Sequence, residues 1–274
     1  MNLKNTSFIT YQKNKIDILV KTNIPPEWTE CFIDKFGEQK EIENGETIYY
    51  LRNKIIKVFD PILERNIVIK SFKLNKIYDR LRFRFLASKA ERSLKAAREL
   101  EQLNLKTPSP IAVIEKRGKT NELLFSYYIT EYIDYDFNLL EIAKDFDHQE
   151  RDKIKKLMPQ LGQEVKKMHE AGIVHNDLHA GNILVKNYET KPELYYVDLN
   201  RARIKEKLSK KDKINDLKRL KFTEAEKEIF FKNYSPDRWR YYKNEVSIAR
   251  RKRRKFVKIK KKLRSTFGVE KGKK

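Results

Sequence analysis

Cysteine is almost absent from these 274 residues, and glycine and proline are scarce at eight each. Cys31 alone cannot close an intrachain disulfide, and no Cys/His cluster has the spacing of a zinc site. No run approaches the roughly 18 apolar residues of a membrane span, and Met1-Asn2-Leu3-Lys4-Asn5 opens no signal-like apolar block, so a cytoplasmic location is expected. Glycine is missing altogether between Gly45 and Gly118, which excludes a Gly-x-Gly-x-x-Gly loop from that stretch. What is present is charge and aromatic mass. Hydrophobic residues make up 39% and aromatics 11%, enough for a packed core under a very polar exterior. Acids number 39 against 62 Lys plus Arg, a formal charge of +23, and the span Arg250 to Lys274 holds 14 of those cations and one acid. Such a field attracts polyanions.

The pattern divides the chain into an amino-terminal part, 1–133, a helical part, 134–245, and a basic tail, 246–274. Thr47 to Leu51, Lys54 to Phe59 and Asn66 to Phe72 are short β-branched and aromatic runs that read as antiparallel strands. From Tyr78 to Leu103 the spacing of Ala90, Leu94, Ala97 and Leu100 predicts a helix, and Ile111 to Glu115 and Leu123 to Ile133 two more strands. Five strands and one main helix make a small sheet lobe. Beyond Asp134 the periodicity turns helical, with a long stripe of Ile154, Leu157, Leu161, Val165 and Met168 stopped by Gly172. Strands over Ile183 to Lys186 and Glu193 to Leu199 follow, then helices around Ile214 to Leu220 and Glu224 to Tyr234.

Chemistry concentrates in Gly172-Ile173-Val174-His175-Asn176-Asp177-Leu178-His179-Ala180-Gly181-Asn182-Ile183-Leu184-Val185. This combines His-x-Asp, an Asn five residues after the Asp, and an apolar strand behind, the H-x-D-x-x-x-x-N arrangement of a phosphoryl-transfer catalytic loop. The spacing lets Asp177 reach an acceptor hydroxyl while Asn182 turns its side-chain carbonyl toward magnesium on the phosphates. A second metal ligand is expected at the end of the next strand, and Asp198 in Tyr196-Val197-Asp198-Leu199-Asn200 sits there, with Leu-Asn where Phe-Gly is usual. His175 reads as a brace for the loop, and His169 as a core or helix-end residue. Lys70, closing Ile67-Val68-Ile69-Lys70, is the candidate for the α- and β-phosphates; Lys73 is the weaker one. Glu91 is the candidate partner of Lys70, with Glu99 in reserve. The backbone of Glu131 and Ile133 is expected to hold the adenine edge, and Asp60 to Asn66 to cover the phosphates.

Together these features predict an α+β protein-kinase-like fold of two lobes. The chain resembles the lipopolysaccharide kinase (Kdo/heptose kinase) family over roughly Lys54 to Leu220. The likeness rests on Val68 to Lys73, Ser88-Lys89-Ala90-Glu91-Arg92-Ser93, Thr107-Pro108-Ser109-Pro110-Ile111, His175 to Leu184 and Val197 to Arg201. It implies ATP, Mg2+ and a sugar hydroxyl acceptor on a lipid A precursor at the cytoplasmic face of the inner membrane. The missing glycine loop and the lack of an Ala-Pro-Glu segment after Asp198 argue against an ordinary protein kinase. Ten Lys plus Arg between Lys70 and Arg98 would suit an anionic glycolipid. Phe256, Ile259, Leu263 and Phe267 recur at helical spacing among the tail lysines, the pattern of an amphipathic helix on an anionic membrane surface. The rival readings are a RIO-like atypical protein kinase whose tail holds nucleic acid, and a non-catalytic pseudokinase. Retention of Lys70, Asp177, Asn182 and Asp198 argues against the second.

Overall fold

Alternating apolar residues near the amino terminus begin the largest of the sheets in the computed structural model, which describes residues 7–13, 15–36, 45–50, 53–74 and 81–266. The chain divides into two units, Met1–Asp136 with Tyr195–Ala202, and Phe137–Leu194 with Arg203–Lys274.

In the first unit the elements are β1 (Phe8–Lys13), β2 (Ile16–Lys21), α1 (Pro26–Phe36), β3 (Glu46–Tyr50), β4 (Asn53–Asp60), β5 (Arg65–Phe72), α2 (Lys89–Gln102), β6 (Pro110–Arg117) and β7 (Leu123–Glu131). The strands form one antiparallel sheet in the order β1-β2-β6-β7-β5-β4-β3. Because side chains alternate across a strand, Ile67 and Ile69 of β5 join a core with Trp28, Phe32 and Ile33 of α1, while Phe72 packs with Ala90 and Leu94 of α2. Lys70 shares the parity of Phe72. The helix α2 starts where the sequence supplies a capping box: Ser88 Oγ accepts from the Glu91 N–H at 2.9 Å and the Glu91 carboxylate accepts from the Ser88 N–H at 2.6 Å.

Seven strands stand where five were expected. The added pair, β1 and β2, carries a period-2 signal in Ile16, Ile18 and Val20, all buried. The one helix expected from Tyr78 is interrupted: Leu81 and Arg82 are helical, 83–88 are not, and the main helix starts at Lys89 behind the Ser88 cap; 75–80 lie outside the described residues, as do Leu51 and Phe267.

The second unit contains β8 (Phe137–Asn138), α3 (Leu139–Ala143), α4 (Arg151–Glu170), β9 (Ile173–Val174), β10 (Ile183–Lys186), β12 (Arg203–Ile204), α5 (Lys210–Leu217), α6 (Glu224–Tyr234) and α7 (Trp239–Thr266). Strand β11 (Glu193–Tyr196) carries the chain from this unit back into the first. The stripe expected on α4 is buried in full, from Ile154 to Met168. A Cβ on Gly162 would lie 2.6 Å from the Phe230 carbonyl, so α6 packs on α4 only because that position has no side chain. Thr223 and Glu226 form a second capping box at the start of α6, and Arg151 grips the Glu226 carboxylate with two hydrogen bonds of 2.6 and 2.8 Å. The helix α7 is continuous through the division expected at 245/246; Tyr242 and Val246 are buried, whereas Phe256, Val257, Ile259 and Leu263 are exposed. Among the described residues no helix is long and apolar enough to cross a membrane.

Candidate active site

In the first unit, Lys70 and Asp198 meet across 128 residues of sequence, the ammonium hydrogen-bonding Asp198 Oδ1. Lys70 is buried at 8% exposure on β5, opposite Ile55 and Tyr128, and its ammonium lies 5.4 Å from the Phe72 ring centre. Lys73 turns elsewhere, 3.8 Å from the ring centre of Tyr50.

Asp198 is held in the left-handed region at φ 61°, uncommon for a residue with a side chain and costing about 1 kcal/mol or more. Its neighbours over-determine that geometry. Leu199 is buried beneath it, Asn200 Nδ2 donates to Asp198 Oδ1, and Arg92 Nε of α2 donates to the Asn200 carbonyl at 3.2 Å. On the other side, the Tyr196 N–H donates to the Lys106 carbonyl at 2.9 Å and Thr107 Oγ1 to the Tyr196 carbonyl at 2.8 Å. The Thr-Pro-x-Pro stretch thus anchors the strand that delivers Asp198.

Glu91 does not reach Lys70. Its carboxylate closes the capping box on Ser88, with Arg117 Nη2 at 4.0 Å, and the buried face of α2 (Ala90, Ser93, Leu94, Ala96, Ala97, Leu100) carries no acid. The pairing expected for Glu91 is therefore corrected: the lysine's carboxylate partner is Asp198.

At the end of β7 the Glu131 N–H donates to the Ser109 carbonyl at 2.9 Å and the Tyr132 N–H to the Asn66 carbonyl at 3.0 Å, while the Glu131 side chain pairs with Arg65. Ile133, half-buried just beyond, has no hydrogen bond on its N–H among the described residues.

In the second unit, the loop after β9 turns at Asn176, φ 61°, and presents Asp177 at 8% exposure. Asn182 Nδ2 donates to the Asp177 carbonyl at 3.0 Å, which leaves Asn182 Oδ1 as the face able to ligate a hard cation. His175 is wholly buried, and its Nδ1 accepts from the Asp177 N–H at 3.3 Å.

Two residues that contact this loop were not singled out in the sequence. Arg219, just past α5, forms an ion pair with Asp177 Oδ1. Asp216, inside α5 and buried, accepts from the His175 N–H at 2.8 Å and faces His169 Nε2 at 3.3 Å; His169 Nδ1 in turn meets Tyr234 Oη at 2.8 Å. Burial pushes the Asp216 carboxyl up, but the His169 hydrogen bond and the charges of His175 and His169 outweigh it and hold it below the usual carboxylate value. Burial pushes the Tyr234 phenol well above its ordinary value.

As to metal, Asn182 Oδ1 and the Asp198 carboxylate are hard oxygen donors, and Mg2+ characteristically takes one or two such protein groups, the rest coming from phosphate and water. Both therefore fit the ion by donor chemistry.

Comparison with known proteins bears on the fold and the family. A 3-deoxy-D-manno-octulosonic acid kinase of Haemophilus influenzae is 31% identical over 151 residues, 54% of this chain and 59% of that protein. A cyclin-dependent kinase 12 of Caenorhabditis elegans is 32% identical over 127 residues, 44% of this chain and 16% of that protein, so the matched part is under two thirds of either relative's length. The solved structure of WaaP in complex with acyl carrier protein superposes with a TM-score of 0.63 at 19% identity, covering 87% of this chain and 98% of that one, which establishes the shared fold. The profile of the lipopolysaccharide kinase (Kdo/WaaP) family matches residues 66–238, and the chain belongs to that family.

Proposed function

We propose that the protein is an ATP-dependent kinase that phosphorylates a hydroxyl of the lipopolysaccharide inner core, on a Kdo or heptose residue of a lipid A precursor. The observation that carries this reading is the Lys70–Asp198 pair: a strand lysine suited to α- and β-phosphates, joined to a carboxylate suited to their metal ion. Bound Mg2+ would neutralise charge on the triphosphate. Lys70 would add a point charge there, and Asn182 and Asp198 are the residues that would hold the ion. Asp177 takes the proton of the acceptor hydroxyl as that oxygen bonds to the γ-phosphorus and the bond to ADP breaks. His175 and Asp216 fix the loop that carries Asp177. The backbone of Glu131 and Ile133 is assigned to the adenine edge, with the Ile133 N–H as donor.

Arg219 narrows the acceptor. A guanidinium beside the base suits a sugar that bears its own anion, and Kdo, the octulosonic acid in the Haemophilus relative's name, carries a carboxylate that a neutral heptose lacks. The cationic helix α7, with Phe256, Ile259 and Leu263 exposed among lysines and arginines, would seat the enzyme on the anionic cytoplasmic face of the inner membrane.

The test is transfer of labelled γ-phosphate from ATP to Kdo-bearing and heptose-bearing lipid A precursors. Product on the Kdo acceptor, lost in Asp177→Ala with folding intact, is the expected result. Absence of transfer to every sugar acceptor, with Mg2+ and ATP present, would refute it.

A further inference from the structure

Just ahead of α2, in the first unit, an irregular connection over residues 83–88 holds apolar side chains out to water. Phe85 is 88% exposed, more than any other large apolar side chain among the described residues, and Leu81 and Leu86 are exposed at 43% and 49%. Ala87 is exposed as well, so Phe85, Leu86 and Ala87 make a consecutive apolar run in solvent. Such a run works against solubility and needs a use to explain it.

The connection is tied down on both sides of this tip. Phe83 is buried against Leu74 and Leu123, its carbonyl accepts from Arg117 Nη1 at 2.8 Å, and the Arg84 carbonyl accepts from Asn121 Nδ2 at 3.2 Å. The Arg84 N–H donates back to the Leu81 carbonyl at 3.1 Å. Arg117 is itself held by the buried carboxylate of Glu115 at 3.1 Å, and Ser88 fixes the far side by capping α2. A tip clamped in this way loses little conformational freedom on docking.

Charge and size define what would cover it. Residues 81–89 include Arg82, Arg84 and Lys89 and no acid. Glu122, next to the Asn121 that holds this connection, directs its carboxylate to the Thr120 N–H and hydroxyl at 3.0 and 2.6 Å. Apolar groups among arginines match the boundary of an anionic bilayer, where the former enter the acyl region and guanidinium groups stay at the phosphates on their long stems. A protein partner would need more surface: one aromatic ring supplies about 150–250 Å², and with two half-exposed leucines and an alanine the tip falls short of the about 800 Å² that each side of a specific protein interface buries. Single-stranded nucleic acid binds on stacked aromatic rings, and only one of these four side chains is aromatic.

We infer that Phe85, Leu86 and Ala87, together with Leu81, insert into the interface of an anionic lipid bilayer, with Arg82 and Arg84 at its phosphates. The contact lies in the first unit, so it is separate from the one proposed for α7, and it depends neither on that contact nor on the kinase reading.

Phe85→Trp in the full chain reads insertion directly. The vesicles are phosphatidylcholine with about 30 mol% phosphatidylglycerol, with and without brominated acyl chains, and no nucleotide or acceptor is present. The wild type supplies the background from Trp28 and Trp239. Emission of Phe85→Trp should be quenched by brominated lipid beyond that background, and should remain so when Phe256→Ser/Ile259→Ser/Leu263→Ser is added, which separates this contact from that of α7. Phe85→Ser/Leu86→Ser should weaken partition onto these vesicles at least tenfold with Tm unchanged, because both side chains are exposed. Arg82→Gln/Arg84→Gln should reduce the preference for these vesicles over pure phosphatidylcholine at least fivefold. The proposal is overturned by quenching no greater than in the wild type, by unchanged partition of the double Ser variant, by a double Ser variant that changes oligomeric state but not partition, which would make the tip a face between copies of this chain, or by Phe85→Trp emission that responds to a short single-stranded RNA and not to vesicles.

Discussion

Removing Asp216 should unfasten the catalytic loop at a place remote in sequence from it. In Asp216→Ala the His175 N–H and the His169 ring lose their shared acceptor, Oδ2, in a wholly buried setting. Each unsatisfied buried donor costs about 1–3 kcal/mol, so the total is roughly 4 kcal/mol. For a protein of this size that corresponds to a fall in Tm of about 8–16 °C. Asp216→Asn should cost less, since its carbonyl can stay at the Oδ2 position and only its amide lands where Oδ1 now has no partner. The sign of the pH effect follows from the depressed carboxyl. A folded pKa below the unfolded value of about 3.9 means the contribution is complete above about pH 4 and drains away as pH falls toward the folded value. The gap between wild type and Asp216→Ala in urea unfolding should therefore be full at pH 7 and narrow below pH 4. Equal stability of all three proteins at pH 7, within 0.5 kcal/mol, would falsify the reasoning.

Arg219→Ala should raise KM for a Kdo-bearing acceptor about 10- to 150-fold, the loss of one charge-assisted contact of 1.5–3 kcal/mol, and leave a neutral heptose acceptor near its starting value. An equal loss on both acceptors would show that Arg219 only supports Asp177. Ser88→Ala removes the α2 cap and should destabilise by about 1 kcal/mol in urea unfolding, with Ser88→Gly milder; no change would mean the helix start is fixed by tertiary packing alone. Phe256→Ser/Ile259→Ser/Leu263→Ser should lower partition onto vesicles containing anionic lipid without altering thermal stability, because these side chains are exposed. Unchanged partition would remove the apolar face of α7 from membrane contact.

What could be read from the chain depended on how local the determinant was. Asp177 and Asn182 lie five residues apart, and a hydrogen bond closes that short loop, so their spacing is visible directly. Lys70 was legible through the strand parity around it. Arg219 was not: its partner is 42 residues away and it is one of 62 Lys and Arg. Asp216 was hidden because a helix aspartate ordinarily faces water, and here burial is offset only by two histidines from other elements. Glu91 was misread although Ser88-x-x-Glu91 spells a capping box, a local use of the carboxylate that won over the distant lysine. The two-residue strands β8, β9 and β12 are too short to leave any periodicity.

The turn between β4 and β5 explains how the chain can dispense with a glycine loop. Residues 60–66 were expected to lie over phosphates, and backbone amides would do that work only if they were unpaired. Two of them are paired: Asp60 Oδ1 accepts from both the Ile62 and Leu63 N–H groups at 3.0 Å, and Oδ2 accepts from Trp28 Nε1 at 2.6 Å. Glu64, at φ 50°, then closes a turn that its own carboxylate neighbour has already satisfied. Pro61 lacks an N–H altogether. A turn so occupied is a fixed hairpin end tied to α1, and it offers little to a nucleotide. The favourable contacts to phosphate in this unit must then come from side-chain charge, and the buried cation aligned for it is Lys70. On the proposed ATP reading, more of the binding would rest on the Lys70–Asp198 pair than in a chain whose loop amides share it, and Asp198 is braced for that by Asn200, Arg92 and Thr107.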